Sequence, residues 1–258
     1  MDKNIPKKSL GQHWLFDDYV LQNIADLAQI NPGERVVEIG PGLGTLTAKL
    51  LKAGADVVAV EFDNALAKQL DDKKLSANLQ VINQDILRFN FEQQPEKYKI
   101  VANIPYYLTS NLIRILTETN NQPDIVVLLI QKEVAQRICA APGQMSMLSV
   151  WAQLNFDCSL GPVVDAEQFT PPPKVDSQVV VMKKLTEPIF KEENKESLQR
   201  VIKAGFASKR KTILNCLSAG LQKPKTEVAQ ILNTLSINQN TRAQELNLET
   251  WLTLSKNI

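Results

Sequence analysis

One four-residue motif, Asn103-Ile104-Pro105-Tyr106, combines groups suited to chemistry on an aromatic amine. Such an amine is a poor nucleophile because its lone pair is delocalised into the ring. The Asn103 side-chain oxygen and the Ile104 carbonyl would accept both N–H groups and turn the lone pair toward an electrophile. Pro105 fixes the backbone, and the Tyr106 ring is suited to stacking on an unpaired base. A β-turn with a packed tyrosine is the alternative for the four residues alone.

A glycine-rich loop supplies a second feature suited to binding. Gly40-Pro41-Gly42-Leu43-Gly44 directly follows the β-rich run 35–39 and opens a helical pattern. Glycines at such a turn let the backbone approach a ligand closely. The spacing is GxGxG, whereas the dinucleotide fingerprint is GxGxxG. On this loop alone, a nicotinamide dehydrogenase remains a serious alternative.

Polar side chains also end the next three strand patterns. Glu61 ends the second, where a carboxylate can accept hydrogen bonds from both hydroxyls of a ribose. Asp85 follows the third, where it can accept from an adenine amino group, and Asn103 ends the fourth. Ligands of open α/β sheets bind beyond the carboxyl ends of the strands. The ordered set predicts a nucleoside site, whereas helix capping would explain either acid taken singly.

A methyl donor with a positively charged sulfur fits this arrangement. Its methyl group is already activated, so positioning can supply much of the catalysis without a strong general base. The chain has one histidine, His13, which makes a Ser-His-Asp triad or a His-rich metal site hard to build. We therefore expect methyl transfer that needs no metal.

Alternating strand and helix patterns position these groups. The apolar runs lie at 35–39, 56–62, 79–82, 99–102 and 124–130, with helical patterns at 45–53 and 64–71. Short apolar runs between helices indicate buried parallel strands. Two later runs, 150–156 and 177–182, lack long intervening helices and predict an antiparallel edge of the sheet.

Only helical patterns follow the break at Thr186-Glu187-Pro188. They lie at 195–207, 210–217, 226–235 and 243–254. We therefore predict a doubly wound α/β domain over residues 1–185 and a small α-helical domain over residues 186–258.

The composition, 44% hydrophobic and 22% charged residues, is that of a soluble protein with its own core. No apolar run approaches the roughly 20 residues of a membrane span, and the basic start lacks the apolar stretch of a secretory signal. Cys139, Cys158 and Cys216 are widely spaced and predict reduced thiols. We expect a cytoplasmic protein that binds neither metal nor membrane, with a monomer as the default.

The net charge of +1 conceals an asymmetry, since residues 183–258 carry 13 Lys/Arg against 7 Asp/Glu. Such asymmetry hints at a segment that faces an anionic partner. Lys203, Lys209, Arg210 and Lys211, beside Phe206, predict a patch that contacts phosphates. A solvated helical surface is the alternative.

Motifs along nearly the whole chain resemble those of the ribosomal RNA adenine N6-dimethyltransferases. The segments are KSLGQHWLF (Lys8 to Phe16), EIGPGLGTLT (Glu38 to Thr47), VEFD (Val60 to Asp63), NQDIL (Asn83 to Leu87), NIPYYLTS (Asn103 to Ser110), QKEVAQRICAAPG (Gln131 to Gly143), FTPPPKVDS (Phe169 to Ser177) and KAGFASKRKTILNCL (Lys203 to Leu217). The later motifs are the specific ones, because the glycine loop is shared with most methyltransferases.

The resemblance implies a Rossmann-like, class I S-adenosylmethionine-dependent methyltransferase domain followed by a helical domain that faces RNA. S-adenosylmethionine would contact His13, Leu15, Gly40, Gly42, Glu61, Asp85 and Asn103. The target adenine would lie against Asn103, Ile104, Pro105 and Tyr106, with Phe169 supporting its other face. The N-terminal segment would fold over the cofactor.

The resemblance also implies the substrate. It would be two adjacent adenosines in a hairpin loop near the 3′ end of 16S rRNA, within the 30S subunit. An enzyme that acts on 23S rRNA is an alternative. The FTPPPKVDS segment and the extended C-terminal helices favour the 16S substrate. A ribosome assembly factor with secondary catalysis is another.

Two departures from the family pattern stand out. His13 occupies a position where the family often has Asn. The change would alter any role of the side chain, whereas a contact through the main chain would be kept. Gln144-Met145-Ser146-Met147 lacks the Lys and Tyr-Gly expected there, so contacts of this loop to RNA are expected to differ.

Overall fold

A computed structural model describes residues 6–7, 10–187, 189 and 195–258 of the chain. Within Met1–Ala135 and Asp157–Lys184, which form one compact unit, the core is a seven-stranded sheet. Its strands, from one edge to the other, are β4 (Leu79–Asn83), β3 (Asp56–Glu61), β2 (Arg35–Ile39), β5 (Tyr98–Asn103), β6 (Ile125–Gln131), β9 (Ser177–Lys184) and β7 (Phe156–Val164).

The five strands from β4 to β6 are parallel, and β9 runs antiparallel to β6. Their near-continuous apolar runs suit strands that are covered on both faces, and Val57, Ile100 and Val127 are fully buried. The register places Ile39 beside Val60 and Ala102, so these strands end at one edge of the sheet. The α/β class and the antiparallel strand over 177–182 are confirmed.

Helices connect the strands, and a two-residue pair of strands lies outside the main sheet. The helices are α1 (Asp18–Leu27), α2 (Thr45–Lys52), α3 (Asn64–Asp72), α4 (Thr109–Glu118) and α5 (Lys132–Ile138), and the short strands are β1 (Trp14–Leu15) and β8 (Phe169–Thr170). Strand β1 pairs antiparallel with β8, which ties the N-terminal segment to a loop more than 150 residues later.

The second compact unit consists of Gln136–Phe156 and Leu185–Ile258. Its helices are α6 (Met147–Asn155), α7 (Lys195–Gly205), α8 (Ile213–Leu221), α9 (Lys225–Thr234) and α10 (Leu248–Asn257). They surround a core that contains Trp251, whose ring stacks on Phe206 with ring centroids 5.2 Å apart. The unit therefore includes a segment, 136–156, that precedes the predicted boundary at residue 185.

The predicted strand over 150–156 is wrong, because residues 150–155 lie in helix α6 and Phe156 is the first residue of β7. Val150 and Leu154 are four positions apart and both join the helical core, which is a helical spacing. Ser146 and Ser149 form a capping box that starts the helix. A short apolar run does not distinguish the two structures, and here the cap and the packing decide.

Two predicted helix starts also change. Helix α8 begins at Ile213 and not at 210, because the Thr212 hydroxyl caps it by accepting from the Asn215 N–H. The predicted helix over 243–254 is interrupted, since Ala243–Glu245 forms a 3-10 turn and Asn247 then caps α10.

In the part of the chain that the structure describes, no helix has the length and apolar character needed to cross a bilayer. The structure joins none of Cys139, Cys158 and Cys216 to another of the three in a disulfide.

Candidate active site

The loops that follow β2, β3, β4 and β5 border one cleft, because parallel strands present their carboxyl ends at the same edge. The cleft contains about 1280 Å³ of empty space, open solvent included. Every residue predicted to bind the cofactor or the adenine lines it. They are His13, Leu15, Gly40, Gly42, Glu61, Asp85, Asn103, Ile104, Pro105, Tyr106 and Phe169.

The glycine loop after β2 provides a close approach for a ligand. Gly40 has φ +65°, which turns the chain at the end of β2, and its N–H donates to the Val60 carbonyl of the neighbouring strand. A Cβ added at Gly40 would meet no atom within 4 Å, so the backbone there faces open space. A ligand can therefore lie directly against the peptide, as the sequence predicts.

Glu61 is held in place at the end of β3. It is 6% exposed, and its carboxylate accepts from the Gly42 N–H at 3.1 Å and from the Asp63 N–H at 2.8 Å. Burial raises the pKa of Glu61, and the two backbone donors act against that shift. A carboxylate has about four lone-pair positions, so positions remain for ribose hydroxyls.

Asp85 combines the capping role with exposure to the cleft. Its Oδ1 accepts from the Leu87 N–H at 3.0 Å and so starts a 3-10 turn over Ile86–Arg88. The capping alternative is thus correct for one oxygen of the side chain. The same residue lines the cleft, where its other oxygen can accept from a ligand.

The Asn103-Ile104-Pro105-Tyr106 motif follows β5 directly. The Asn103 Nδ2 donates to the His13 carbonyl at 3.4 Å, which orients the amide and leaves Oδ1 as an acceptor. Ile104 is 2% exposed, whereas the Tyr106 ring lies partly buried with its hydroxyl 2.8 Å from Ser177 Oγ. Burial raises the pKa of Tyr106, so the phenol stays protonated at neutral pH.

The N-terminal segment forms one wall of the cleft. The His13 Nδ1 donates to the Pro171 carbonyl at 2.7 Å, and its ring faces Tyr106 with centroids 6.0 Å apart. The Leu15 carbonyl accepts from the Thr45 hydroxyl at 3.2 Å. Lys8 and Ser9 of the predicted motif lie outside the described residues.

An ion pair secures the start of this wall. Lys7 Nζ lies 2.7 Å from an Asp63 carboxylate oxygen, and the Asp63 side chain is almost fully buried. The Lys7 N–H also donates to the Gln12 side chain. The ion pair therefore joins the N-terminal segment to the loop after β3, two residues from Glu61.

The sequence model of the family described as ribosomal RNA adenine dimethylase matches residues 3–258. The chain belongs to this family. It is 38% identical over 249 residues to a protein named ribosomal RNA small subunit methyltransferase A from Dehalococcoides mccartyi, covering 95% of this chain and 86% of that one. It is 40% identical to the protein of the same name from Thermosynechococcus vestitus, covering 97% and 96%.

Solved structures of similar proteins agree with this assignment. A dimethyladenosine transferase from Plasmodium falciparum superposes with a TM-score of 0.79 at 26% identity, covering 94% of this chain and 96% of that chain. The 23S rRNA methyltransferase ErmE gives 0.76 at 28% identity, covering 95% and 98%. The family shows that the chain is an S-adenosylmethionine-dependent methyltransferase, and it confirms the predicted resemblance and fold.

The residues of the cleft fit S-adenosylmethionine. The open space before Gly40 would be lost to any larger side chain, and Glu61 and Asp85 present acceptors suited to a ribose and an adenine amine. Glu38 and Trp14 add polar atoms that are buried, and among them Trp14 Nε1 has no hydrogen-bond partner. Unpartnered buried polar atoms call for an explanation, and a polar ligand supplies one.

Glu38 and Trp14 are two polar residues of the cleft that sequence reasoning did not select. Glu38 is 1% exposed, and burial raises its pKa to about 8, with the Glu61 charge adding to the rise and Thr47 opposing it. The signal for Glu38 was a carboxylate inside the apolar run RVVEI. Trp14 carried no signal, because its surroundings depend on distant parts of the chain.

Among the described residues, no group of three or more His, Cys, Asp or Glu side chains is placed to hold a metal ion.

The basic residues predicted to contact RNA lie in the helical unit. Lys203 is exposed on α7, and Lys209, Arg210 and Lys211 are exposed in the turn before α8. The Cys216 thiol donates to the Ser208 carbonyl at 3.5 Å and so links helix α8 to this turn. Phe206, predicted beside the patch, instead packs its ring on Trp251.

Proposed function

We propose that this methyltransferase dimethylates the N6 amino groups of two adjacent adenosines in the hairpin loop near the 3′ end of 16S rRNA. The observation that carries the proposal is the Asn103-Ile104-Pro105-Tyr106 motif opening onto a cleft with Glu61 and Asp85. Relatives 37–40% identical to this chain are named small subunit methyltransferases, whereas the 23S enzyme ErmE is 28% identical. The small subunit is therefore the favoured substrate.

The cofactor site that we propose uses the loops after four strands. The backbone at Gly40 and Gly42 lies against the ligand, and Glu61 accepts from the ribose hydroxyls. Asp85 accepts from the adenine amine of the cofactor through the oxygen that does not cap the turn. The main chain of His13 and Leu15 closes the site from the N-terminal side, since the His13 ring is engaged with Pro171.

Bound S-adenosylmethionine supplies a methyl group that is already electrophilic. Asn103 Oδ1 and the Ile104 carbonyl accept from the two N–H groups of the target adenine, which frees the nitrogen lone pair for attack. Tyr106, held by Ser177, and buried Phe169 confine the base. No side chain needs to remove a proton first, which agrees with a cleft whose one imidazole donates Nδ1–H to a carbonyl.

Methylation of small subunits tests the proposal. The protein is incubated with labelled S-adenosylmethionine and small subunits from a strain that lacks this modification, and the label is mapped. Dimethyladenosine in the 3′-terminal hairpin of 16S rRNA is the expected product. Transfer of the label to 23S rRNA instead would show that the protein is a 23S rRNA methyltransferase. Tight binding of NADH without binding of S-adenosylmethionine would contradict methyl transfer altogether.

We further propose that the basic residues of the helical unit contact rRNA phosphates. Lys203, Lys209, Arg210 and Lys211 are exposed and form no ion pair with any residue that the structure describes. Cations without protein partners are available to replace the counterions of a nucleic acid. We place the active protein on the small subunit in the cytoplasm, as a monomer.

Reversing the charge of Lys209, Arg210 and Lys211 to Glu is expected to weaken RNA binding and its salt dependence. Each lost phosphate contact lowers the slope of log Kd against log salt by about 0.7 to 0.9, so three contacts lower it by roughly 2. Filter binding to the hairpin RNA between low and high salt measures the slope. Reversal of Lys97, Lys225 and Lys256, which are also exposed, is the matched control. An unchanged slope in the first variant would rule out the patch.

A further inference from the structure

The indole N–H of Trp14 is a buried donor with no acceptor. Trp14 Nε1 has no hydrogen-bond partner, although Trp14 lines the cleft. Leaving a buried donor unpaired costs free energy, so such a group in a binding cleft indicates an acceptor on the ligand.

The surroundings of Trp14 place this donor at the glycine loop. A Cβ built on Gly42 would lie 3.8 Å from both Cδ1 and Nε1 of the indole, so the ring edge faces the loop backbone. The pairing of Trp14 with Thr170 in β1 and β8 fixes the backbone that carries the ring. The donor is therefore fixed in position before a ligand arrives.

The order of the strands indicates which part of the cofactor reaches this point. With the ribose at Glu61 after β3 and the methyl group facing Asn103 after β5, as proposed above, the amino-acid arm would cross the end of β2, which lies between these two strands in the sheet. The loop after β2 is the glycine loop. That arm carries an ammonium and a carboxylate, which need an acceptor and a donor respectively.

We propose that the Trp14 indole N–H donates a hydrogen bond to the carboxylate of the amino-acid arm of S-adenosylmethionine. The assignment rests on the proposed cofactor site and adds a residue to it. Trp14 is a binding residue in this assignment and takes no part in the transfer of the methyl group. Its contribution concerns one end of the cofactor only, and this makes it testable with ligands that lack that end.

Trp14→Phe keeps an aromatic ring and removes the donor together with part of the indole, and the ligands without a carboxylate control for the lost packing. We expect its affinity for S-adenosylhomocysteine to fall about tenfold, as for a hydrogen bond to a charged group. Its affinity for decarboxylated S-adenosylmethionine and for 5′-methylthioadenosine, which lack the carboxylate, should stay within about twofold. Calorimetry on the full chain gives the three constants. Trp151→Phe, in α6, is the matched control and should leave all three unchanged.

The outcomes separate the inference from the proposed function. Equal losses for all ligands, or no loss for any, would overturn the role of Trp14 while S-adenosylhomocysteine binding still supports the cofactor site. Absence of S-adenosylhomocysteine binding by the unmodified protein would instead contradict the proposed function. In the unmodified protein, one of the three indole N–H resonances should shift with S-adenosylhomocysteine and not with 5′-methylthioadenosine, a result that does not depend on the variant folding.

Discussion

Asn103→Ala is expected to lower kcat for methyl transfer by about 10²–10³-fold, the usual effect of removing one group that holds the reacting atoms. The side chain supplies the acceptor Oδ1, while its Nδ2 is engaged with the His13 carbonyl. Without Oδ1 the target amine keeps its lone pair in the ring. Single-turnover transfer of labelled methyl groups to small subunits measures the effect, and calorimetry measures the cofactor affinity separately.

The loss in kcat compared with the loss in cofactor affinity distinguishes a role in catalysis from a role in cofactor binding. Asn103 also lines the cleft that we propose for the cofactor, so some loss of affinity is expected, but it should be much smaller than the loss in kcat. Asn103→Asp keeps an acceptor oxygen and should retain more activity than the alanine variant. If Asn103→Ala transferred methyl groups within about threefold of the unmodified rate, the acceptor role would be wrong.

The same variant addresses the alternative in which the protein acts mainly as an assembly factor. A strain that depends on Asn103→Ala protein would lack the modification but still contain the folded protein. Growth equal to that of the complemented strain would show that binding to the immature subunit is the principal role. A growth defect equal to that of the deletion would show that methylation itself is required.

Most of the cofactor side of the cleft could be predicted from the sequence because it depends on local order. Glu61, Asp85 and Asn103 each follow an apolar run, and parallel strands bring such positions together without further information. The conformation of the glycine loop is likewise predictable from its residues, since Gly40 has the positive φ that favours glycine. The spacing along the chain therefore corresponds directly to neighbours in space.

The parts that could not be predicted depend on contacts between distant segments. The Trp14 ring lies beside Gly42, and its backbone pairs with Thr170. Nothing in the sequence around Trp14 indicates either neighbour. The error at 150–156 has a similar cause. Seven mostly apolar residues suit a strand or a helix, and the packing of Val150 and Leu154 among the C-terminal helices decides for the helix.

Glu38 combines a local signal with a distant cause. A carboxylate within a buried strand is visible in the sequence, but the size of its perturbation depends on Thr47 and Glu61, which surround it in the folded chain. Burial of a carboxylate opposes its ionisation. The fold therefore carries an energetic cost at this position that should depend on pH.

Glu38→Gln should remove that cost. The pKa of Glu38 rises from 4.5 to about 8 on folding, so the folded chain binds this proton more tightly than the unfolded chain. Its contribution to stability is fully present below pH 4.5 and is lost as pH rises through about 8. The shift corresponds to roughly 5 kcal/mol above pH 8, of which roughly 3 kcal/mol is already lost at pH 7.

Urea unfolding of the cofactor-free protein at several pH values between 5 and 9 tests this. The free energy of unfolding of Glu38→Gln, minus that of the unmodified protein, should increase with pH over this range and level off above pH 8. Glu96→Gln, which replaces an exposed acid, is the control and should give a difference that is nearly constant. A constant difference for Glu38→Gln as well would mean that Glu38 is ionised in the folded protein. The carboxylate would then need a partner in solution that offsets its burial.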